Sequence, residues 1–193
     1  MSQDSSADRP KPRERIVDTA RDLFHRHGIR NVGVDSIAEA AQTNKMTLYR
    51  HFTSKDALIV ETLNKAAQEA EGLWHGLEVA YPGDPMAQLR AWLGQAAQCI
   101  IQDSRGCDMA NAAVELTEDD HPARRVIEEF KTMQRNHLAT LCKGIGVTQP
   151  DLLADALFLL LEGARVSRQS IGAEGPVLQF VRMGEIIIAS FKV

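Results

Sequence analysis

Apolar residues recur at helical spacing along most of the chain, and turn residues separate the segments that carry them. In the first segment, residues 13–27, the side chains of Ile16, Ala20 and Phe24 fall on one face of a 3.6-residue period. Gly28 then provides a helix stop. Similar stripes, divided by polar turns and by Gly and Pro, continue to the end of the sequence. The pattern predicts an all-α fold of about nine helices.

The third predicted helix, KMTLYRHF at residues 45–52, is barely two turns long and has only a narrow apolar stripe, Leu48 and Phe52. A second short helix, VDSIAEAAQ, precedes it across a tight polar turn, and Asn44 and Ser54 stand where N-caps are expected. Two short helices joined in this way behind an amphipathic helix make a helix-turn-helix. A solvated connector is the alternative interpretation of the third helix.

The pattern divides the chain into three parts. Residues 1–10 form a disordered arm, residues 11–56 form a DNA-binding domain with the helix-turn-helix at about 33–52, and residues 57–193 form a larger helical domain for effector binding and dimerisation. The basic side chains Arg9, Lys11, Arg13 and Arg15 supply either an arm that contacts DNA or a solvated tail.

Charge is distributed unevenly over the 193 residues. The net charge is −4, yet residues 9–55 carry ten Lys or Arg against five Asp or Glu. A basic first quarter on an acidic body predicts a polyanionic partner for that quarter. No apolar run approaches the roughly 18 residues that span a membrane, and the N-terminus does not look like a signal peptide. With three widely spaced cysteines, these features predict a cytoplasmic, nucleoid-associated protein.

The segment from Ile16 to Leu63 resembles the DNA-binding domain of TetR-type (TetR/AcrR) transcriptional regulators. The resemblance is carried by TARDLFHRHG (Thr19–Gly28), VDSIAEAA (Val34–Ala41) and TLYRHFTSKDAL (Thr47–Leu58), about a quarter of the chain. It implies a sequence-specific regulator, a homodimeric repressor that a small-molecule effector releases from a palindromic operator. The alternative is a helical ligand-binding or thiol-sensing protein whose DNA-reading head is degenerate.

Four positions depart from the usual family pattern. Gly33 stands where a Thr often caps the second helix, Gln42 replaces the frequent turn glycine, Asn44 replaces Ser, and Met46 takes a position often held by Gly. The change at Met46 is expected to alter base preference.

The outward face of the third helix is the predicted DNA-binding site. Lys45 can donate to guanine and Met46 can touch a thymine methyl group, whereas the resemblance implies phosphate contacts for Thr47, Tyr49 and His51. Lys55, in the first turn of the fourth helix, is expected to bind backbone phosphate. The full predicted set is Lys45, Met46, Thr47, Tyr49, Arg50, His51 and Lys55.

The last two helices are apolar on more than one face, and a helix of this kind must bury two sides. The resemblance implies that they form a four-helix dimer interface, although burial within one subunit is the alternative. The predicted interface consists of Leu153, Leu157, Leu160, Leu161, Ala164, Val177, Phe180, Val181, Ile187 and Ile188.

An effector pocket in the body is implied by the resemblance, and aromatic and polar residues within apolar stripes are its candidate lining. These are Trp74, Trp92, Met109, His137, Phe158 and Arg165, each of which could equally be core. Arg165 either pairs at the dimer seam or faces an anionic effector.

Other chemistry has little support in the sequence. Cys107, behind Arg105 at a helix start, is a possible thiol sensor, with Cys99 a weaker one, although inert cysteine is favoured. His121 in an acidic loop invites a metal site, but a solvated loop is favoured. The chain has no phosphate-binding loop, nucleophile elbow or zinc-type histidine pair. We therefore expect no enzyme activity, no cofactor and no metal ion.

Overall fold

The computed structural model describes residues 11–192, and within this range the chain is all α-helical with no strand. The arm predicted at residues 1–10, including Arg9, lies outside the described residues. The helices are α1 (Pro12–His27), α2 (Val34–Ala40), α3 (Lys45–His51), α4 (Lys55–Ala80), α5 (Pro85–Gln102), α6 (Asp108–Glu115), α7 (Ala123–Gly144), α8 (Pro150–Ile171) and α9 (Phe180–Ser190), with a 3-10 helix (Pro176–Gln179) before α9. The predicted fold is confirmed.

Helix boundaries follow the local signals in the sequence. Asp84 caps α5, since its carboxylate accepts a hydrogen bond from the Ala87 N–H at 2.9 Å, and Pro85 occupies the first helical position. Two predicted helices are shorter than expected. The second ends at Ala40 rather than Gln42, and the last begins with a 3-10 turn at Pro176 before continuing as α-helix from Phe180.

Two clusters of buried side chains form the interior. The first joins α1, α2, α3 and the start of α4 to α6 and the start of α7, and it includes Ile16, Leu48, Leu58 and Met109. The second lies between the later part of α4 and helices α5, α7, α8 and α9. The first cluster therefore crosses the sequence boundary drawn near residue 56. Hereafter α1–α3 are called the head, and α4–α9 the body.

None of the helices in the described range is both long and apolar enough to cross a membrane.

Candidate nucleic-acid interface

A tight turn joins α2 to α3. The Thr43 N–H donates to the Ala38 carbonyl at 2.9 Å, and the Gln42 N–H donates to the Glu39 carbonyl at 2.9 Å. Gln42 has a φ of 51°, in the left-handed region that glycine adopts most readily. The position where the family often has glycine therefore keeps a glycine-like backbone while carrying a glutamine.

Arg15 of α1 holds this turn from behind. Its Nε donates to the Ala41 carbonyl at 2.8 Å, which satisfies a carbonyl group left free where α2 ends. Arg15 was considered for a DNA-binding arm, but its side chain supports the helix-turn-helix instead. The partners are 26 residues apart, so the sequence offered no local signal for this contact.

Side-chain caps fix the starts of α3 and α4, as predicted. Asn44 Oδ1 accepts from the Thr47 N–H at 2.8 Å, and Ser54 Oγ accepts from the Ala57 N–H at 3.0 Å. Each cap satisfies one of the backbone donors that a helix start leaves unpaired. The two ends of the segment that includes α3 are thus fixed by neighbouring polar residues.

Two apolar side chains anchor α3 to the head. Leu48 is fully buried and Phe52 is 4% exposed, as their spacing predicted. The Arg13 guanidinium lies 5.3 Å from the centroid of the Phe52 ring and pairs with Glu61 at 2.8 Å. Arg13 thus covers the inner side of α3, and it too belongs to the support of the head.

The opposite face of α3 is open to solvent. Met46 is 78% exposed and Tyr49 is 44% exposed. Lys45, Arg50 and His51 are also exposed, and Thr47 is half-buried. This face carries no acidic residue. Six of the seven predicted DNA-binding residues therefore lie together on or beside one accessible surface.

Lys45 is paired with Asp35, which the sequence analysis did not single out. Its Nζ lies 3.0 Å from Asp35 Oδ2 at the start of α2, and the pKa of Lys45 is raised by this hydrogen bond. Lys45 must exchange this carboxylate for a base edge in order to read DNA.

The prediction for Lys55 is corrected. Its Nζ donates to the Ile29 carbonyl at 2.5 Å and lies 5.8 Å from the centroid of the Phe24 ring. Burial lowers the pKa of this half-buried amine. The ammonium group fixes the α1–α2 loop against α4, so it is not the free phosphate ligand that we expected from its place in the first turn of α4.

The six predicted effector-pocket residues do not line one cavity. Trp74 stacks on His137 with ring centroids 4.7 Å apart, and also on Trp92 at 6.1 Å. Trp74 and His137 border a cleft of about 460 Å³ between α4, α5 and α7, and Trp92 packs in the second core. Met109 instead belongs to the first core, on the far side of the molecule's interior from this stack.

Phe158 and Arg165 lie on α8, away from that cleft. Phe158 is half-buried beside the Lys131 ammonium, which is 5.8 Å from its ring centroid. Arg165 Nη1 donates to Glu162 Oε1 at 3.1 Å, and Glu162 also pairs with Lys131 at 2.6 Å. Arg165 is therefore part of a charged cluster between α7 and α8.

Seven of the ten predicted interface residues are buried inside the chain itself, and this part of the prediction is corrected. They face the second core because α8 and α9 pack on α5 and α7, so they have almost no surface left for a partner. Of the other three, Val181 is exposed and Leu160 and Ile187 are half-buried. The buried seven are Leu153, Leu157, Leu161, Ala164, Val177, Phe180 and Ile188.

A different apolar stripe of these helices faces solvent. Leu152, Leu159 and Val166 are exposed at seven-residue spacing along α8, and Leu178, Met183 and Ile186 are exposed on the 3-10 helix and α9. Heptad spacing places side chains on one helix face. Hereafter these six residues are called the outer stripe.

The remaining candidates have structural roles. Cys107 is the N-cap residue of α6, with its Sγ 3.8 Å from Lys131 Nζ. Cys99 is exposed, and burial raises the pKa of the Cys142 thiol to about 11. His121 Nδ1 accepts from the Ala123 N–H at 3.1 Å at the start of α7. Within residues 11–192, no three His, Cys, Asp or Glu side chains are placed to hold a metal ion.

A capped, anchored α3 with an open basic and polar face, set behind α1 and α2, defines a helix-turn-helix DNA-binding protein. Residues 16–62 match the sequence profile described as "Bacterial regulatory proteins, tetR family". The chain belongs to the TetR family and is a DNA-binding transcriptional regulator.

Similar proteins are regulators along most of their length. A crystal structure of a TetR-family transcriptional regulator from Streptomyces coelicolor superposes with a TM-score of 0.88 at 26% identity, covering 94% of this chain and 96% of that one. The protein named Probable acrEF/envCD operon repressor in Escherichia coli is 25% identical over 85% of this chain and 77% of its own. The repressor DhaR of a Mycobacterium species is 24% identical over 88% of both.

The position of Lys55 predicts a contrast with an exposed base on α3. Lys55→Ala removes the bond to the Ile29 carbonyl, so it should lower the free energy of unfolding by about 1 kcal/mol and leave the salt dependence of DNA binding unchanged. Arg50→Ala should instead reduce the slope of log affinity against log salt by about one unit. Chemical denaturation and salt titrations measure both quantities. A reduced slope for Lys55→Ala would restore the phosphate contact and contradict the corrected role.

Proposed function

We propose that the protein is a homodimeric repressor that reads a palindromic operator through α3 and leaves it when a small molecule binds the body. The observation that carries the DNA-reading part is the open face of α3 on its buried Leu48 and Phe52 anchors. Burying two apolar residues to display a polar face favours a reading helix over a solvated connector or a degenerate head. The proposal involves no catalytic step and places the protein in the cytoplasm with the nucleoid.

Each exposed residue of α3 has a proposed role in the major groove. Lys45 donates to guanine O6 or N7 after releasing Asp35, and Met46 contacts a thymine methyl group. Thr47, Tyr49 and His51 bind backbone phosphates and set the register, and Arg50 adds a phosphate contact. The near-complete exposure of Met46 supports its role, because an unbranched apolar side chain in water gains by packing against a methyl group.

The outer stripe of α8 and α9 is the proposed dimer interface. Six apolar side chains in water on two adjacent helices are unfavourable in a monomer, and a two-fold axis would bury both copies of the same surface. Such a dimer presents two heads, which is how helix-turn-helix proteins reach two half-sites of a palindrome.

An effector site is proposed in the cleft beside Trp74 and His137. Its volume of about 460 Å³ lies in the range of small-molecule sites. His137 Nε2 lies 3.2 Å from Glu71 Oε2, so the cleft offers both an aromatic surface and a polar partner. An effector acts as a release signal only if it binds more tightly to the conformer whose heads fit the operator poorly.

Selection of bound duplexes from a random pool tests the proposed function. The expected result is an enriched inverted repeat whose half-sites are separated by about one helical turn or a multiple of it. Enrichment of a single, asymmetric half-site would contradict the dimeric reading, and no enrichment at all would contradict sequence-specific binding.

The same selection repeated with Lys45→Ala tests the proposed base contact. Loss of the ammonium group should relax discrimination at one symmetric base position by roughly tenfold and leave the other positions as they were. Lys65→Ala is a suitable control, because this lysine lies on α4 and pairs with Asp18. A uniform loss of affinity at all positions would show that Lys45 binds phosphate instead.

The dimer interface is tested by charge insertion in the outer stripe. Leu159→Asp, at a side chain 68% exposed, should convert the dimer to a monomer in sedimentation experiments, because it would bury unpaired charge at the seam. Leu73→Asp is the matched control, since Leu73 is 57% exposed on α4 and outside the stripe. Dimers that persist in Leu159→Asp, or that dissociate equally in Leu73→Asp, would contradict this interface.

A further inference from the structure

His25, near the end of α1, lies at the contact between the head and the body. Its Nδ1 is 2.5 Å from Asp108 Oδ1 at the start of α6, and its Nε2 is 3.0 Å from Asp103 Oδ1 in the α5–α6 loop. From the opposite direction, Arg105 Nε donates to the His25 carbonyl at 2.9 Å. One residue of the head is thus held by three residues of the body, and this set of four is called the junction.

The geometry of the junction requires a protonated imidazole. A neutral imidazole has one N–H donor and one acceptor, whereas an imidazolium has two donors. Both ring nitrogens of His25 face carboxylate oxygens at hydrogen-bond distance. Loss of the proton would turn one of these contacts into an acceptor facing an acceptor. The two contacts can be satisfied together only by the charged ring.

The body side of the junction is fastened to α8. Gln169 Nε2 donates to the Arg105 carbonyl and lies 3.3 Å from Asn111 Oδ1. Arg168 Nε donates to the Ile101 carbonyl at 3.3 Å, at the end of α5. The α5–α6 loop therefore connects the head to the helix that carries the outer stripe. A head held at the junction is held relative to the proposed dimer axis.

Other charged groups around the junction come from α1 and α4. Arg21 of α1 pairs with Asp108 at 3.0 Å and with Glu69 of α4 at 2.5 Å. Asp22 and Lys65 line the same cleft, of about 500 Å³, and both already pair with residues of α1, Arg26 and Asp18. The cleft is open to water, so protons exchange freely with His25.

We propose that His25 is a positioning residue for operator binding: its protonated ring fixes the head to the α5–α6 loop and α6, and loss of the proton frees the head and weakens binding. The proposal rests on the two-headed dimer proposed above. Two heads fixed in one orientation lose less freedom on binding than two mobile heads, and a preorganised site binds more tightly.

The direction of the pH effect follows from the pKa values of the pair. The hydrogen bond to Asp108 raises the pKa of His25 above the ordinary value of 6.5, although burial opposes the rise. Burial also opposes ionisation of Asp108, yet its bonds to His25 and Arg21 hold its pKa below 3.8. The junction is therefore intact from above pH 3.8 up to 6.5 and is lost as the pH rises through the raised pKa of His25.

The test measures affinity for the selected operator duplex between about pH 6 and about pH 8.5 at constant ionic strength. Wild-type affinity should fall by roughly three- to tenfold over this range, and His25→Gln should be weaker at low pH and nearly independent of pH. His27→Gln is the matched control, two residues further along α1 with an exposed side chain, and should keep the wild-type profile. His51 on the reading face is unchanged in both variants, so its titration cancels in the comparison.

Asp103→Asn provides a second, milder variant. An amide oxygen can still accept from the Arg105 and Gly106 N–H groups that Asp103 Oδ1 binds at 2.8 and 3.2 Å, but it no longer carries the charge. The midpoint of the pH profile should shift to lower pH. An unchanged midpoint, a wild-type profile in His25→Gln, or affinity that increases with pH would overturn the proposal.

A measurement without DNA separates this proposal from the proposed function. NMR titration of the His25 ring in the free protein should give a midpoint above 6.5, and Asp108→Asn should lower it. If no duplex is selected but this titration behaves as expected, the operator proposal fails and the junction stands as a structural contact. If duplexes are selected but the ring titrates at or below 6.5, the positioning role of His25 fails on its own.

Discussion

The structure depends on the burial of Leu48 and Phe52, because α3 has no other means of staying folded. A helix of seven residues is far too short to be stable alone in water. Fully burying two such side chains contributes about 1.5–3 kcal/mol each, and the caps at Asn44 and Ser54 fix where the segment begins and ends. All of this stabilisation lies on the inner face. The outer face is therefore left to bind DNA.

The same burial joins the head to the body. The first core runs from Leu48 and Ile16 in the head to Met109 in α6, so α6 cannot shift without disturbing the packing behind the reading helix. Ionic contacts stand at both ends of α6: Asp108 meets His25 and Arg21 at its start, and Glu115 Oε2 accepts from the Arg30 N–H at 2.9 Å at its end. A signal in the body that moves α6 would consequently reach the head through both charge and packing.

Features encoded by neighbouring residues could be predicted from the sequence. The caps, the anchors at Leu48 and Phe52 and most helix bounds depend on residues within one helical turn. Contacts between distant residues could not be predicted. Lys55 binds a backbone carbonyl 26 residues away, and His25 meets a carboxylate 83 residues away. The two-sided apolar pattern of α8 was visible, but periodicity does not tell which side, such as that of Leu157 or that of Leu159, packs within the chain.

The most direct measurement is a crystal structure of the protein bound to its selected duplex. The account predicts α3 in the major groove, with Lys45 released from Asp35 and within hydrogen-bond distance of a base edge, while Leu48 and Phe52 stay buried. A complex in which α3 lies away from the groove, or in which its anchors leave the core to contact DNA, would contradict the account.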